Sequence, residues 1–163
     1  MRIEEFAASV TYRTERLRAD LGHADAKILD DPSSRAVWRA VRDLAPLQTR
    51  PDDAVWRVSV RPSSGPVVLD TLADAIGARG YLDWGGGLVW LSAAATEAAY
   101  AAVRAAAVTA GGTWMLMRGP EPLRAAVDVI PPEPEPLARI TRRVKAALDP
   151  HSILNPGRMY PGL

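Results

Sequence analysis

Three polar residues near the C-terminus, Asn155, Arg158 and Tyr160, stand in a segment that proline and glycine keep out of helix. The run is Asp149-Pro150-His151-Ser152-Ile153-Leu154-Asn155-Pro156-Gly157-Arg158-Met159-Tyr160-Pro161-Gly162-Leu163. Proline fixes φ and glycine opens turns, so this reads as an ordered irregular tail rather than a frayed end. An amide, a guanidinium and a phenol in such a peptide are contacts for polar or aromatic groups. A second candidate is Arg57, in the middle of Val55-Trp56-Arg57-Val58-Ser59-Val60. Strand alternation puts Trp56, Val58 and Val60 on one face and Val55, Arg57 and Ser59 on the other. A guanidinium there can clamp a carboxylate with two parallel hydrogen bonds. An ordinary salt bridge on an open sheet face is the alternative.

Other chemistries find less support. Gly85-Gly86-Gly87 is followed by a strand pattern, with neither the Lys-Ser/Thr of a phosphate loop nor a dinucleotide fingerprint, so it reads as a hairpin turn. His151 is a lone histidine after Asp-Pro, and His23 follows a helix-stop glycine; both read as surface residues. No serine-nucleophile motif is present. The acidic pairs Glu4-Glu5, Asp30-Asp31 and Asp52-Asp53 are adjacent in sequence and read as caps or solvated groups. The absence of cysteine excludes disulfides, thiolate catalysis and cysteine-held metals in this chain. A net charge of +1 supplies no field for nucleic acid. Arg139, Arg142, Arg143 and Lys145 therefore read as the solvated side of a helix, and no metal site is expected. Trp84 and Trp90 can wall a planar ligand, though core packing is the simpler reading.

The elements that must position these residues follow from periodicity. Short strands are expected at 2–6 and at Lys27-Ile28-Leu29. Helices are expected at 7–21 and from the Asp31 cap to about Ala45. After the strand at 55–60 come a helix at 67–77 and a hairpin, Tyr81–Trp84 with Leu88–Leu91, turned by the glycines. An alanine-rich helix at 94–110 and a strand at 113–117 follow. Residues 119–135 are proline-rich and read as a long surface loop. Pro136 opens a last helix with Leu137, Ile140, Val144 and Leu148 inward. The sum is α+β: an antiparallel sheet with helices packed on one face, of ferredoxin-like type. Alanine-rich helices beside five tryptophans suggest close helix–sheet packing with indoles filling the gaps.

The tail also carries a family resemblance. Val144 to Arg158, with Asp149-Pro150 and Leu154-Asn155-Pro156-Gly157-Arg158, resembles the C-terminal signature of FAD-linked oxidases of the vanillyl-alcohol-oxidase type. Arg2 to Tyr12, Ser34 to Arg42 with Trp38, Val55 to Val60 and Tyr81 to Leu91 are similar to one branch, the FAD-binding subunit of glycolate oxidase. The resemblance implies a cap domain over residues 1–148, an ordered tail of the same domain at 149–163, and no N-terminal FAD-binding domain in this sequence. It implies a flavin-dependent 2-hydroxy-acid oxidation, with FAD as cofactor and a small 2-hydroxy acid as substrate. Asn155 and Arg158 fall in the family's motif near the cofactor; Arg158 stands where many relatives carry lysine. Arg57 is the matching clamp for the substrate carboxylate. The implied partners are a flavin-binding domain, upstream or in trans, and the other glycolate oxidase subunits, including an iron–sulfur subunit. The implied location is cytoplasmic, or peripheral to the inner membrane through those subunits. The open alternatives are a non-catalytic ligand-binding or assembly module and an inactive fragment.

Overall fold

The alternation at 55–60 falls in an inner strand, Asp53–Ser59, of a four-stranded antiparallel sheet. In the computed structural model, which describes residues 1–22 and 25–160, the chain divides into two compact units, Met1–Ala45 and Pro46–Leu163. His23 and the last three tail residues lie outside the described residues.

The second unit holds the strands β1 (Asp53–Ser59), β2 (Arg79–Asp83), β3 (Leu88–Ala94) and β4 (Thr113–Arg118). They lie in the order β2-β3-β1-β4, every pair antiparallel. Helices α3 (Gly65–Ile76) and α4 (Glu97–Thr109) follow β1 and β3, so the chain order is β-α-β-β-α-β, the ferredoxin-like order. Both helices pack on one face of the sheet. From β1 come Ala54, Trp56 and Val58; from β3, Val89, Leu91 and Ala93; from β4, Trp114 and Leu116. Val68 and Leu72 of α3 and Ala99, Tyr100, Val103 and Ala107 of α4 complete the core. The small alanines let α4 approach closely, and Trp56 and Trp114 fill the gaps. Thr96 caps α4 by accepting from the Ala99 N–H at 3.1 Å, a contact contributing about 1 kcal/mol.

Segment 119–135 differs from the surface loop that its prolines suggest. It contains α5 (Glu121–Ala126), and Leu123 is buried in the core with Val127 and Val129 packed against it. The Leu116 N–H donates to the Val129 carbonyl at 2.7 Å, extending order beyond β4. Proline masks the pattern because it occupies the first turn of α5, where its missing N–H costs nothing.

The last helix, α6 (Glu135–Leu148), forms as expected, but its apolar row does not turn inward: Leu137, Ile140, Val144 and Leu148 are all exposed. The inner face of the sheet is already covered by α3, α4 and Leu123 of α5, which leaves no core for α6.

In the first unit, α1 (Ala7–Leu21) and α2 (Asp31–Arg42) form where periodicity places them, with Asp30 rather than Asp31 as the cap. The Asp30 carboxylate accepts from the Ser33 N–H at 3.0 Å. Neither expected short strand forms; residues 2–6 and 27–29 carry no strand. Two or three alternating residues without a partner edge cannot satisfy their backbone groups as sheet. No residue of α1 or α2 is buried.

Candidate functional site

The face of the sheet opposite α3 and α4 carries Arg57. Register places Trp90 and Met115 directly opposite it on the two flanking strands, and Tyr81 opposite Trp90. Residues so paired have Cβ atoms about 5 Å apart, so Tyr81, Trp90, Arg57 and Met115 form one transverse row. All four are half-buried. Trp90 is therefore a wall of the open face and not a core residue. Trp84 is 75% exposed in the hairpin connection. An indole beside a guanidinium favours the cation over its ring face and leaves the donor fork free to point outward.

Arg57 lines a cavity of about 330 Å³ with Ser59, Thr113 and Met115 on its floor. Its outer wall comes from Ile130 to Pro134, Leu137, and Met159 and Tyr160 of the tail. Sequence reasoning singled out Arg57 and the tail separately; the fold brings Tyr160 to the cavity that Arg57 lines.

Two latches hold the tail in place. At its start the Asp149 carboxylate is buried and accepts from Lys145 Nζ at 2.6 Å, Ile153 N at 3.0 Å and Leu154 N at 2.9 Å. Lys145 Nζ also donates to the Leu154 carbonyl at 2.6 Å. The Lys145 hydrogen bond, then the backbone donors, hold the Asp149 pKa below the usual aspartate value. Lys145 is thus a fastener and not part of a solvated basic face. At the far end, Glu133 joins the tail to α6: it accepts from Thr141 Oγ1 at 2.9 Å and hydrogen-bonds the Tyr160 hydroxyl. Burial, then the Glu133 charge, push the Tyr160 phenol up from its ordinary pKa. Composition signals an ordered tail, but these fasteners depend on spacings that no short motif marks.

The other two tail candidates diverge. Asn155 is exposed, takes a left-handed backbone at φ 49°, and accepts the Arg158 N–H at 3.2 Å through its carbonyl. It lines neither this cavity nor the larger one beside it. Arg158 lines that larger cavity, of about 1010 Å³, together with Arg104 and Arg124, which sequence reasoning did not pick out. Ile130, Pro132, Met159 and Tyr160 line both cavities, so one partition separates Arg57 from the three arginines.

The triple glycine behaves as a structural turn. Gly86 has φ 101°, and a Cβ there would lie 2.5 Å from the Pro62 carbonyl oxygen. Of the acidic pairs, Asp53 is structural: it accepts from Arg50 N at 2.8 Å and from Arg79 on β2 at 2.5 Å, tying two non-adjacent strands. His151 is exposed. No group of three or more potential metal-ligating side chains occurs among the described residues. No described helix is long and apolar enough to cross a membrane. No family model, curated protein or solved structure matches the chain.

Proposed function

We propose that this chain is the cap domain of a flavin-dependent 2-hydroxy-acid dehydrogenase of the glycolate oxidase type, completing a site whose cofactor-holding part lies in another domain. The observation that carries the reading is the meeting of Arg57 with the tail on the open face of the sheet. The residues present fit one side of a planar cofactor. Trp90 and Tyr81 offer flat surface, Arg57 offers charge, and Met159 and Tyr160 close the edge. They do not fit the pyrophosphate, because the Gly85–Gly87 turn lacks both the phosphate-loop and the dinucleotide fingerprint.

Flavin supplies the two-electron acceptor in such chemistry. The chain's own part is to bind and orient. Arg57 pairs with the substrate carboxylate and fixes which hydrogen of the α-carbon faces the acceptor. The half-buried setting strengthens that pairing relative to open water. Arg158 contributes positive charge behind the shared partition, favouring the negative charge that develops on reduction. Asn155 contacts the cofactor edge from its exposed position. The partners are a flavin-binding domain and, beyond it, an electron-accepting iron–sulfur subunit, in a cytoplasmic or membrane-peripheral assembly. The exposed row on α6 is available for docking.

The test mixes the purified chain with a flavin-domain polypeptide of a glycolate oxidase and follows flavin absorbance as glycolate is added. Bleaching that needs both polypeptides is expected. Arg57→Gln should raise KM for glycolate about tenfold or more, the loss of one charge-assisted contact, with the fold intact. An Arg57→Gln mixture bleaching with unchanged KM removes Arg57 from the site. Tight stoichiometric FAD binding by the chain alone overturns the cap-domain reading.

A further inference from the structure

The larger cavity sets beside Arg158 two further arginines, Arg104 and Arg124, that the flavin reading does not use. Arg104 projects from α4, Arg124 from α5 and Arg158 from the tail, and all three line it. Several cations outside this cavity are paired with carboxylates: Arg16 with Asp20, Arg35 with Asp31, Arg42 with Asp43, Arg79 with Asp53, Arg142 with Glu135 and Lys145 with Asp149. Among the described residues, Arg104, Arg124 and Arg158 form no salt bridge, although Glu121 and Asp128 line the same cavity. Three guanidiniums from three separate elements line one cavity with their charge only partly offset by the two carboxylates, and an anion bound there would take up their donor forks.

The geometry points to a binding site for a small phosphate monoester that also carries hydroxyl groups. A phosphate matches guanidinium forks bidentately, and its double charge suits a cluster of three cations. The two carboxylates disfavour an anion filling the whole cavity. They suit a ligand whose far end presents hydroxyl donors, which a carboxylate accepts. A cavity of about 1010 Å³ has room for a ligand larger than inorganic phosphate. The inference stands without the flavin reading, because it concerns the chain alone and a cavity beyond the Met159–Tyr160 partition.

The test is calorimetric titration of the full chain with ribose 5-phosphate, ribose and inorganic phosphate at low ionic strength and again at 0.3 M salt. Ribose 5-phosphate should bind at least about tenfold more tightly than either half, and more weakly at high salt because the arginines are solvent-accessible. Arg104→Gln, Arg124→Gln and Arg158→Gln should each weaken it about tenfold, while Arg57→Gln leaves it unchanged. The three arginines are exposed, so these variants should keep the wild-type circular dichroism melt. No saturation by millimolar ribose 5-phosphate overturns the proposal. So does binding that survives all three substitutions together, or that is lost in Arg57→Gln.

Discussion

Ile140 on α6 gives the sharpest test of how the second unit is built. A helix with Leu137, Ile140, Val144 and Leu148 on one stripe ordinarily buries it. If Ile140 were buried, Ile140→Ala would cost roughly 2–5 kcal/mol. Ile140 is instead 55% exposed. The substitution removes roughly three carbons, at about 0.8 kcal/mol each when fully buried. Half-exposed, the loss is about 1 kcal/mol, and the better helix propensity of alanine returns a few tenths. The expected net loss is under about 1 kcal/mol. Val103 on α4, at 0% exposure, is the control. Val103→Ala should cost about 2 kcal/mol, the transfer of roughly two carbons plus the cavity left behind. Urea unfolding of both variants, followed by tryptophan emission, separates the cases, because Trp56 and Trp114 are buried in the unit that unfolds. A loss above about 2 kcal/mol for Ile140→Ala would show that the stripe is covered within the chain, and would remove it as a docking face. If a partner covers it, Ile140→Asp should leave the isolated chain folded and abolish association with the flavin-domain polypeptide.

Two further outcomes follow from local geometry. Gly86→Ala should destabilise by at least about 2 kcal/mol, since both its positive φ and its approach to Pro62 resist a Cβ. Gly85→Ala has the positive φ but nothing within 4 Å, and should cost about 1 kcal/mol in the same denaturation assay; equal losses would discount the Pro62 contact. The Asp149 latch should depend on pH in one direction. Its folded pKa lies below the unfolded value near 3.9, so its stabilisation is complete above that value and lost as pH falls through the lower folded one. The Ile153 and Leu154 amide shifts, followed by NMR, should hold steady above pH ~5 and change with a midpoint below ~3.9. A midpoint at or above ~3.9, or the same titration in Asp149→Asn, would refute the latch.

Sequence alone determined the antiparallel α+β order, because alternation in Val55–Val60, glycines at the hairpin and alanine periodicity before Gly111 are local signals, each written within one turn or one strand. It also determined that Arg57 faces away from the core, since strand parity needs no neighbour. The two false strands and the hidden helix α5 mark the limit of local reading: a strand needs a partner edge, and proline at a helix start looks the same as proline in a loop. Only the tertiary structure decided which apolar rows find a core. The stripe of α6 and the inner row of α4 are both amphipathic in sequence, yet one is exposed and the other buried, because α3, α4 and Leu123 of α5 already cover the inner face of the sheet. The candidate site was legible in pieces for the same reason. Arg57 and the tail each announced themselves, but their approach, the Glu133 and Asp149 latches that hold it, and the gathering of Arg104, Arg124 and Arg158 depend on contacts between residues far apart in the chain.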